Sequence, residues 1–459
     1  MRLARFSAVS DKALVVALLL MPVLLSAAPL TTNTSATPPA VKVAGAPKNI
    51  IFMIGDGMGP AYLTAYRFMQ TDPGNTDIQT TIFDDLWLGM ASTTPDDDTL
   101  VTDSAASATA LATGVKSFNG AISVDSNHMP IGTMLQLAKR QGKATGVVAS
   151  SQVNHATPAA FLAHNNSRRN MNAIADMYLD YQIQGKPVAD IIFGGGREHF
   201  IREDRNLVAE FSAKGYQYAD NWRDVSKLTR KPALALLAPA GLPSALNNPH
   251  PAPLATLAEQ ALKLLTPAEK GFVLMIEGSL IDWCGHDNDI ACAMAEMHDF
   301  AKAVAVAKAY VDAHPDTLLI ITADHETGGL SLGANNVYQW LPAVVRGVSA
   351  TSRAIADELN AVSTETEALQ RWQALTGIVI TEQEQQQLLA ERNKTQAELR
   401  KVVNELISRY SYTGWTTGGH TAADVPVLAY GMGKTQFSGF MDNTDIAKRL
   451  LQFIQQTPQ

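Results

Sequence analysis

The residues best suited to chemistry in this sequence are acids and histidines that lie next to short apolar runs. The set is Asp56, Glu277, Asp282, His286, Asp324, His325 and His420. A single aspartate after a strand is commonly a turn residue or a helix cap. Seven such residues from four segments of chain instead favour a metal centre. Mixed Asp and His ligands suit Zn²⁺, and oxygen ligands suit Mg²⁺.

A serine with no histidine base beside it lies in TDSAASATALATG, residues 102–114. The stretch lacks the GxSxG elbow of many serine hydrolases. Ser104 is therefore either the cap of a packed helix or a nucleophile that is activated in another way. At a helix start its hydroxyl faces the positive end of the helix dipole, which favours an alkoxide and a bound phosphoryl group. A Zn²⁺ held by the Asp56 and Asp324 carboxylates and His325 would lower the pKa of the hydroxyl.

A phosphoryl group needs a positively charged partner, and the arginines of NNSRRN supply one. The planar fork of Arg168 can bind two phosphate oxygens. Arg169 is an equal candidate, because spacing alone does not distinguish the two. The GGGR run at 194–197 lacks the Lys-Ser/Thr of a phosphate-binding loop and is interpreted as a turn.

Short apolar runs alternate with amphipathic stretches along the chain. Strands are predicted at 49–55, 144–150, 189–195, 272–278, 317–324 and 425–431, and helices at 104–113 and near 130–141, 168–184, 253–265, 290–314 and 441–456. This pattern predicts an α/β fold with a mostly parallel central sheet and helices on both faces. Ligands bind beyond the carboxyl ends of the strands in such sheets, so the site is expected at that edge.

The stretch from 331 to 415 differs from the rest of the sequence in composition, because it holds polar sequence with a helical pattern. We interpret it as a crown-like helical subdomain inserted into a catalytic core. The core would then comprise residues 47–330 and a C-terminal part, 416–459.

The N-terminus has the pattern of a secretory signal peptide over residues 1–28: a basic start, an apolar run at 13–25 and small residues at 26–28. The apolar run is shorter than the about 20 residues that span a membrane, so a retained anchor is the less favoured alternative. Residues 29–46 predict a flexible leader. We expect an exported protein, periplasmic or fully secreted, with no stable membrane anchor.

The overall charge excludes one class of function. The net charge is −8, and it becomes −10 without residues 1–28, which hold three basic residues and one acid. A broad basic surface for nucleic acid is therefore not expected. Cys284 and Cys292 are too few for a disulfide framework, although an exported pair can form one local bridge.

Taken together, these stretches resemble the alkaline phosphatases. The matching segments are NIIFMIGDGMG, TDSAASATALATGVKSFNGAISVD, HATPAAFLAHNNSRR, EGSLIDWCGHDND, TADHETGG and GGHTAADVPVLAYG. They occur in the family's order and span nearly the whole mature chain. The serine stretch with its following TGVK, together with TADH, is highly specific.

The resemblance implies hydrolysis of small-molecule phosphate monoesters through a phosphoserine, by a homodimer. It implies that Ser104 is the nucleophile and that Asp103 orients Arg168 on the phosphate. It also implies three metal sites: one Zn²⁺ held by Asp282, His286 and His420, a second by Asp56, Asp324 and His325, and one Mg²⁺ by Thr157, Glu277 and the other oxygen of Asp56.

Two positions depart from the pattern of many bacterial members. His155 stands where they carry an aspartate, and Trp283 stands where they carry a lysine. His155 would either ligate the third metal or sit beside it, so the identity of that metal is open. Trp283 removes a cation near the phosphate, which would weaken product retention, or simply packs against the neighbouring loop.

Three alternatives to a phosphomonoesterase remain. A phosphodiesterase on the same scaffold needs room for a second ester group, which a tight Arg168 pocket disfavours. A sulfatase needs a modification motif that TDSAASATA does not match. An exported metal or phosphate binder without catalysis would have no need of the Ser104 hydroxyl.

Overall fold

The structure, a computed structural model, describes residues 45–72, 74–75, 77–392 and 394–456. The predicted signal peptide, and the leader up to residue 44, lie outside this range. The strands in chain order are β1 (Asn49–Gly55), β2 (Trp87–Ser92), β3 (Ala144–Gln152), β4 (Gln182–Ile183), β5 (Lys186–Pro187), β6 (Ile191–Gly195), β7 (Gln217–Ala219), β8 (Ala233–Leu236), β9 (Phe272–Gly278), β10 (Thr317–Thr322), β11 (Glu326–Thr327), β12 (Ser331–Leu332), β13 (Thr413–Gly414), β14 (His420–Thr421), β15 (Val425–Gly431) and β16 (Gly439–Asp442).

Helices connect most of these strands. They are α1 (Pro60–Gln70), α2 (Ile82–Leu86), α3 (Ser104–Thr113), α4 (Met134–Arg140), α5 (Ala156–Leu162), α6 (Met171–Asp180), α7 (Arg197–Phe200), α8 (Leu207–Ala213), α9 (Trp222–Val225), α10 (Pro253–Leu265), α11 (Leu280–His286), α12 (Ile290–Ala313), α13 (Pro342–Gly347), α14 (Ser352–Ala361), α15 (Glu365–Thr376), α16 (Glu382–Glu391), α17 (Gln396–Ser411) and α18 (Asn443–Gln455). A short 3₁₀ helix spans Lys434–Phe437.

The centre of the fold is a sheet of 10 strands in the order β16-β2-β15-β10-β1-β9-β3-β6-β8-β7. Every neighbouring pair in it is parallel except those of β15, which runs against both β10 and β2. Helices α10 and α12 pack together and contact β9, as do α4 and α5. Every residue of β1 and β9 is buried, as expected for strands that are covered on both faces. The predicted α/β fold with a mostly parallel sheet is confirmed.

Helix α3 carries Ser104 at its first position and is buried along all its residues. The N-cap is Asp103 and not Ser104, because the Asp103 Oδ1 accepts the Ala106 N–H at 2.9 Å while Ser104 is the first helical residue. The helix ends at Gly114, whose φ of 74° is in the left-handed region that glycine adopts without strain. Alanine, serine and threonine side chains make α3 thin, so it packs closely against α5 and α18.

The stretch 331–415 folds as helices α13–α17 between two short strands. Its ends meet, because β12 pairs with β13 through Ser331–Gly414 and Leu332–Thr413. The chain therefore leaves and re-enters the sheet region at one place. The described residues otherwise form one compact unit, so the division into a core and an inserted subdomain remains a prediction.

The two cysteines form a disulfide between α11 and the first turn of α12, with Cα atoms 5.5 Å apart. The sequence alone did not decide whether this bridge forms. None of the described helices is both long and apolar enough to cross a bilayer.

Glu296 of α12 offers a test of the packing around this bridge. Its side chain is buried and accepts the Ala245 N–H at 2.7 Å, and burial raises its pKa to about 7. A raised carboxyl pKa contributes stability below the unfolded value of 4.5 that is lost as the pH rises through 7. Glutamine keeps the acceptor but cannot ionise.

We therefore expect Glu296→Gln to match the wild type near pH 4.5 and to be more stable by on the order of 3 kcal/mol at alkaline pH. Urea unfolding of both proteins across this pH range measures the difference. Equal pH slopes for the two proteins would contradict the assignment.

Candidate active site

The carboxyl ends of the central strands bring the predicted acids and histidines to one edge. Asp56 follows β1, Glu277 lies near the end of β9, and Asp324 follows β10 closely. His420 precedes β15, and because β15 is reversed its start lies at the same edge, with Val427 beside Thr322. The edge is where α/β sheets bind ligands.

Three side chains, those of His325, Asp56 and Asp324, form a first set around Ser104. The Ser104 Oγ lies 3.1 Å from His325 Nε2. The same nitrogen lies 3.4 Å from Asp56 Oδ1 and 3.3 Å from Asp324 Oδ2, and all four residues are buried. Tetrahedral Zn²⁺ with bonds of about 2.0–2.1 Å would hold its ligand atoms roughly 3.3 Å apart. The chemistry and spacing of Asp56, Asp324 and His325 therefore fit a zinc ion.

A second set has similar spacing. His286 Nε2 lies 3.4 Å from Asp282 Oδ2, and His420 Nε2 lies 3.5 Å from Asp282 Oδ1. The His286 and His420 Nδ1 atoms lie 2.7 and 2.9 Å from the carbonyl oxygens of Gly418 and Thr102. Because a carbonyl only accepts, each Nδ1 carries the proton and each Nε2 keeps a lone pair. The two Nε2 atoms nevertheless face each other at 3.1 Å, an arrangement that a shared cation would stabilise.

The two sets are adjacent, because the rings of His325 and His420 stack with centroids 3.5 Å apart. His325 also lies within ligand reach of Asp282, so it borders both sets. Its pKa is lowered well below the usual value by burial and then by His420, which keeps the imidazole neutral. A neutral imidazole can offer a lone pair to a metal but cannot balance the charge of the carboxylates.

A third group lies behind Asp56. Ligand atoms of Asp56, His155 and Glu277 lie within 4.8 Å of one another. Both Asp56 carboxylate oxygens, Glu277 Oε1 and Thr157 Oγ1 are buried and have no hydrogen-bond partner among the described residues. Burial, then the neighbouring carboxylates, raises the pKa of Asp56, and burial raises that of Glu277 to about 7. Such orphaned oxygens suit a hard cation.

The structure distinguishes the two candidate arginines. An Arg168 guanidinium NH₂ donates to Asp103 Oδ2 at 3.1 Å, and the other donates to His155 Nε2 at 3.2 Å. Arg169 is exposed and forms no side-chain ion pair with any residue that the structure describes. Arg168 is therefore the one held beside Ser104.

Trp283 packs against His155 edge to face, with ring centroids 5.9 Å apart. It also covers Gly241, where an added Cβ would lie 2.7 Å from the indole ring. The geometry agrees with the packing interpretation of Trp283 and leaves its effect on product retention a prediction.

Thr327 is a residue that the sequence reasoning missed. Its hydroxyl is buried, donates to Asp282 Oδ1 at 2.5 Å and lies 3.2 Å from His325 Nδ1. Since its proton is given to Asp282, it accepts from His325 Nδ1–H and leaves His325 Nε2 as the lone pair. Thr327 thus orients one side chain of each set. Its place two residues after His325 in TADHETGG was the available signal.

Comparison with known proteins identifies the family. The sequence model described as alkaline phosphatase matches residues 47–456. Alkaline phosphatase 3 of Bacillus subtilis (strain 168) is 41% identical over 411 residues, which cover 89% of each chain. The alkaline phosphatase of Escherichia coli (strain K12) is 31% identical over 337 residues, 61% of this chain and 70% of that protein.

Solved structures agree. The cold-active alkaline phosphatase of a psychrophilic Shewanella sp. has a TM-score of 0.84 at 47% identity and covers 89% of this chain and 100% of that one. The alkaline phosphatase of the Antarctic bacterium TAB5 has a TM-score of 0.67 at 26% identity, covering 89% and 98%. A variant of that enzyme with a histidine replaced by glutamate has Mg bound in a site called M3.

A parallel sheet whose carboxyl edge gathers acids, imidazoles and a helix-borne serine defines a class of hydrolases. Within that class, the chain belongs to the alkaline phosphatase family and is a phosphatase. The family resemblance and the predicted enzyme are confirmed, which argues against a binder without catalysis.

The role of Thr327 can be tested through metal affinity. Thr327→Val removes both hydrogen bonds at similar volume, and loss of such a supporting partner costs about 10–100-fold in metal affinity. Competition with a chromophoric zinc chelator measures the change. Thr327→Ser, which keeps the hydroxyl, is the matched control and should bind as the wild type. Unchanged zinc affinity in Thr327→Val would show that the hydroxyl only fills space.

Proposed function

We propose that this phosphatase hydrolyses small phosphate monoesters through a covalent phosphoserine on Ser104. The observation that carries the proposal is the position of the Ser104 Oγ, at the first residue of α3 and 3.1 Å from His325 Nε2. Asp103 caps the helix, so Ser104 is not needed as a cap, and a serine of purely structural role has no need of a neutral imidazole and two buried carboxylates around its oxygen.

The metal assignments extend the proposal. The Ser104 set would hold one Zn²⁺ and the set of Asp282, His286 and His420 another, since both have the spacing of tetrahedral ligands. Asp56, Glu277 and Thr157 would hold Mg²⁺, because their unpaired atoms are oxygens. When bound, such ions lower the pKa of coordinated hydroxyl groups and water, and they offset charge on the phosphate.

The protein's own groups then account for the reaction. The Ser104 hydroxyl gives its proton to water as its oxygen attacks phosphorus. The new O–P bond forms as the ester O–P bond breaks, and the leaving alkoxide takes a proton from water. The Ala106 amide in the first turn of α3 is bonded to Asp103, so the amides of Ser104 and Ala105 would face the transferred group. Arg168, fixed by Asp103, binds two of its oxygens. Water then attacks the phosphoserine from the side that the alcohol left, which releases phosphate and restores the serine.

The simplest test is turnover of p-nitrophenyl phosphate by Ser104→Ala, with and without a chelator. We expect the substitution to lower kcat/KM by at least about 10³-fold, because the nucleophile is gone, while zinc content stays at the wild-type level. Chelation should remove the activity of the wild type. Activity that survives both treatments would overturn the assignment.

His155 is proposed to sit beside the third metal rather than to bind it. Arginine is always a donor, so His155 Nε2 accepts from Arg168 and the ring proton resides on Nδ1. Burial, then Arg168, lowers the pKa of His155 to about 3, so the ring stays neutral. The Nδ1 proton has no partner among the described side chains and would face a water on the metal.

Replacement of His155 by aspartate should therefore strengthen Mg²⁺ binding. The new carboxylate adds a hard oxygen ligand to Asp56, Glu277 and Thr157, so we expect at least about a tenfold lower Kd for Mg²⁺. Variants of the TAB5 enzyme in which one histidine became glutamate or aspartate have Mg bound in the site called M3. Calorimetric titration measures the affinity, and His155→Asn is the uncharged control. Equal affinities in both variants would rule out the carboxylate effect.

Export, and the assembly of two copies, are further parts of the proposal. The predicted signal peptide and the disulfide between Cys284 and Cys292 both suit an oxidising compartment such as the periplasm. A homodimer follows from the family resemblance. The phosphodiesterase and sulfatase alternatives gain no support from the site, because Arg168 is tied to two side chains and TDSAASATA holds no modification motif.

A further inference from the structure

A cavity of about 630 Å³ opens beside His286 and takes no part in the reaction derived above. It lies between the loop 242–247, helix α11 and the start of α14. Its apolar walls are Leu242, Leu280, Trp283 and the Cys284–Cys292 disulfide. Its volume falls within the about 300–1,000 Å³ of small-molecule sites, which are mostly apolar. We call it the apolar cavity.

The walls of the apolar cavity are fixed by hydrogen bonds between distant segments. The carboxylate of Asp289 accepts from the Cys292 N–H at 3.0 Å and from the Ser352 N–H at 2.7 Å, which ties α12 to α14. Asn247 Oδ1 accepts the Thr351 N–H at 3.1 Å and ties the loop to α14. The cavity is therefore formed before any ligand arrives, which lowers the entropic cost of binding.

The position of the cavity relative to Ser104 identifies what would enter it. In an in-line displacement the leaving oxygen departs on the side opposite the attacking oxygen. Ser104 belongs to the set of His325, Asp56 and Asp324, so the leaving oxygen lies toward the other set. His286 is a member of that other set, its side chain is 40% exposed, and it lines the apolar cavity. The alcohol part of the ester would therefore extend into this space.

A second cavity, of about 740 Å³, also touches His286 but has a different character. Its lining includes Arg400 and Arg409, and each is already neutralised. Arg400 pairs with Asp287 at 3.0 Å, and Arg409 pairs with Glu384 at 2.7 Å. One aromatic side chain, that of Trp415, also lines this cavity, but paired charged groups make up more of its wall. We call this the polar cavity.

We propose that the apolar cavity binds the leaving group and makes the enzyme prefer phosphate monoesters of aromatic, apolar alcohols. The inference rests on the proposed function, because it assigns the substrate class of the same site. Phosphate contacts are common to all monoesters, so discrimination among them must come from contacts beyond the ester oxygen. The indole of Trp283 and the two leucines supply a surface on which a fused aromatic ring can pack.

The test compares 1-naphthyl phosphate with phenyl phosphate, whose alcohols are similarly acidic but differ by one fused ring. Burial of the second ring should favour the naphthyl ester by about tenfold in kcat/KM. Binding of the same esters to metal-loaded Ser104→Ala, measured by calorimetry, should show the same ratio without turnover.

Ala354→Phe fills the apolar cavity from a half-buried position on α14. It should reduce the naphthyl-to-phenyl ratios of kcat/KM and of binding affinity to about one. Ala354→Leu, a smaller change, should give an intermediate ratio and guards against misfolding of the first variant. Ala397→Phe makes the same substitution in the polar cavity and should leave the ratios at the wild-type value. The inhibition constant of inorganic phosphate reports the integrity of the phosphate site in each variant.

Unchanged ratios in Ala354→Phe, with normal phosphate inhibition, would overturn the inference and leave the proposed function intact. A loss of preference in Ala397→Phe alone would place the leaving group in the polar cavity and would also overturn it. Failure of the proposed function would look different, because Ser104→Ala would then still hydrolyse both esters.

Discussion

The site depends on the burial of several carboxylates at one edge of the sheet without enough positive charge to balance them. Asp56 and Asp324 are fully buried, and Glu277 lies behind them with an unpaired oxygen. The imidazole of His325 stays neutral, and the Arg168 guanidinium is bound to Asp103. An unbalanced buried carboxylate costs several kcal/mol. Divalent cations offset that cost, so their binding would add directly to the free energy of unfolding.

One reversed strand makes the second ligand set possible. Parallel strands deliver residues that follow them to the carboxyl edge, as β1 and β10 do with Asp56 and Asp324. His420 precedes its strand, so a parallel β15 would carry it to the opposite edge. The antiparallel pairing of β15 with β10 brings it back, and its Nδ1 then bonds the carbonyl of Thr102, two residues before Ser104. The direction of β15 thus places His420, and with it the Asp282–His286–His420 set, next to the segment that carries Ser104.

The sequence predicted strands best where both faces are buried. The runs 49–55 and 272–278 match β1 and β9 residue for residue, because an unbroken apolar run suits a central strand. It missed β2, which is largely half-exposed and carries a glycine, and β8, which has only four residues. The acids and histidines were found because their types are rare beside apolar runs. Thr327 was not, since a threonine gains its role only from partners that are distant in sequence.

The two carboxylate oxygens of Asp103 hold a local helix cap and a long-range contact at the same time. Its Oδ1 caps α3 through the Ala106 N–H, a role for which the sequence made Ser104 a candidate and which aspartate performs well. Its Oδ2 accepts from Arg168 and from the Gly120 N–H at 3.0 Å. The Gly120 carbonyl in turn accepts the Arg168 backbone N–H at 2.8 Å. One carboxylate therefore fixes the start of the helix, which sets the Ser104 oxygen, and the guanidinium that would bind the phosphate. The Ser104 oxygen and the Arg168 guanidinium keep a fixed distance from each other because both are positioned by Asp103. The metal ligands lie on other segments of the chain.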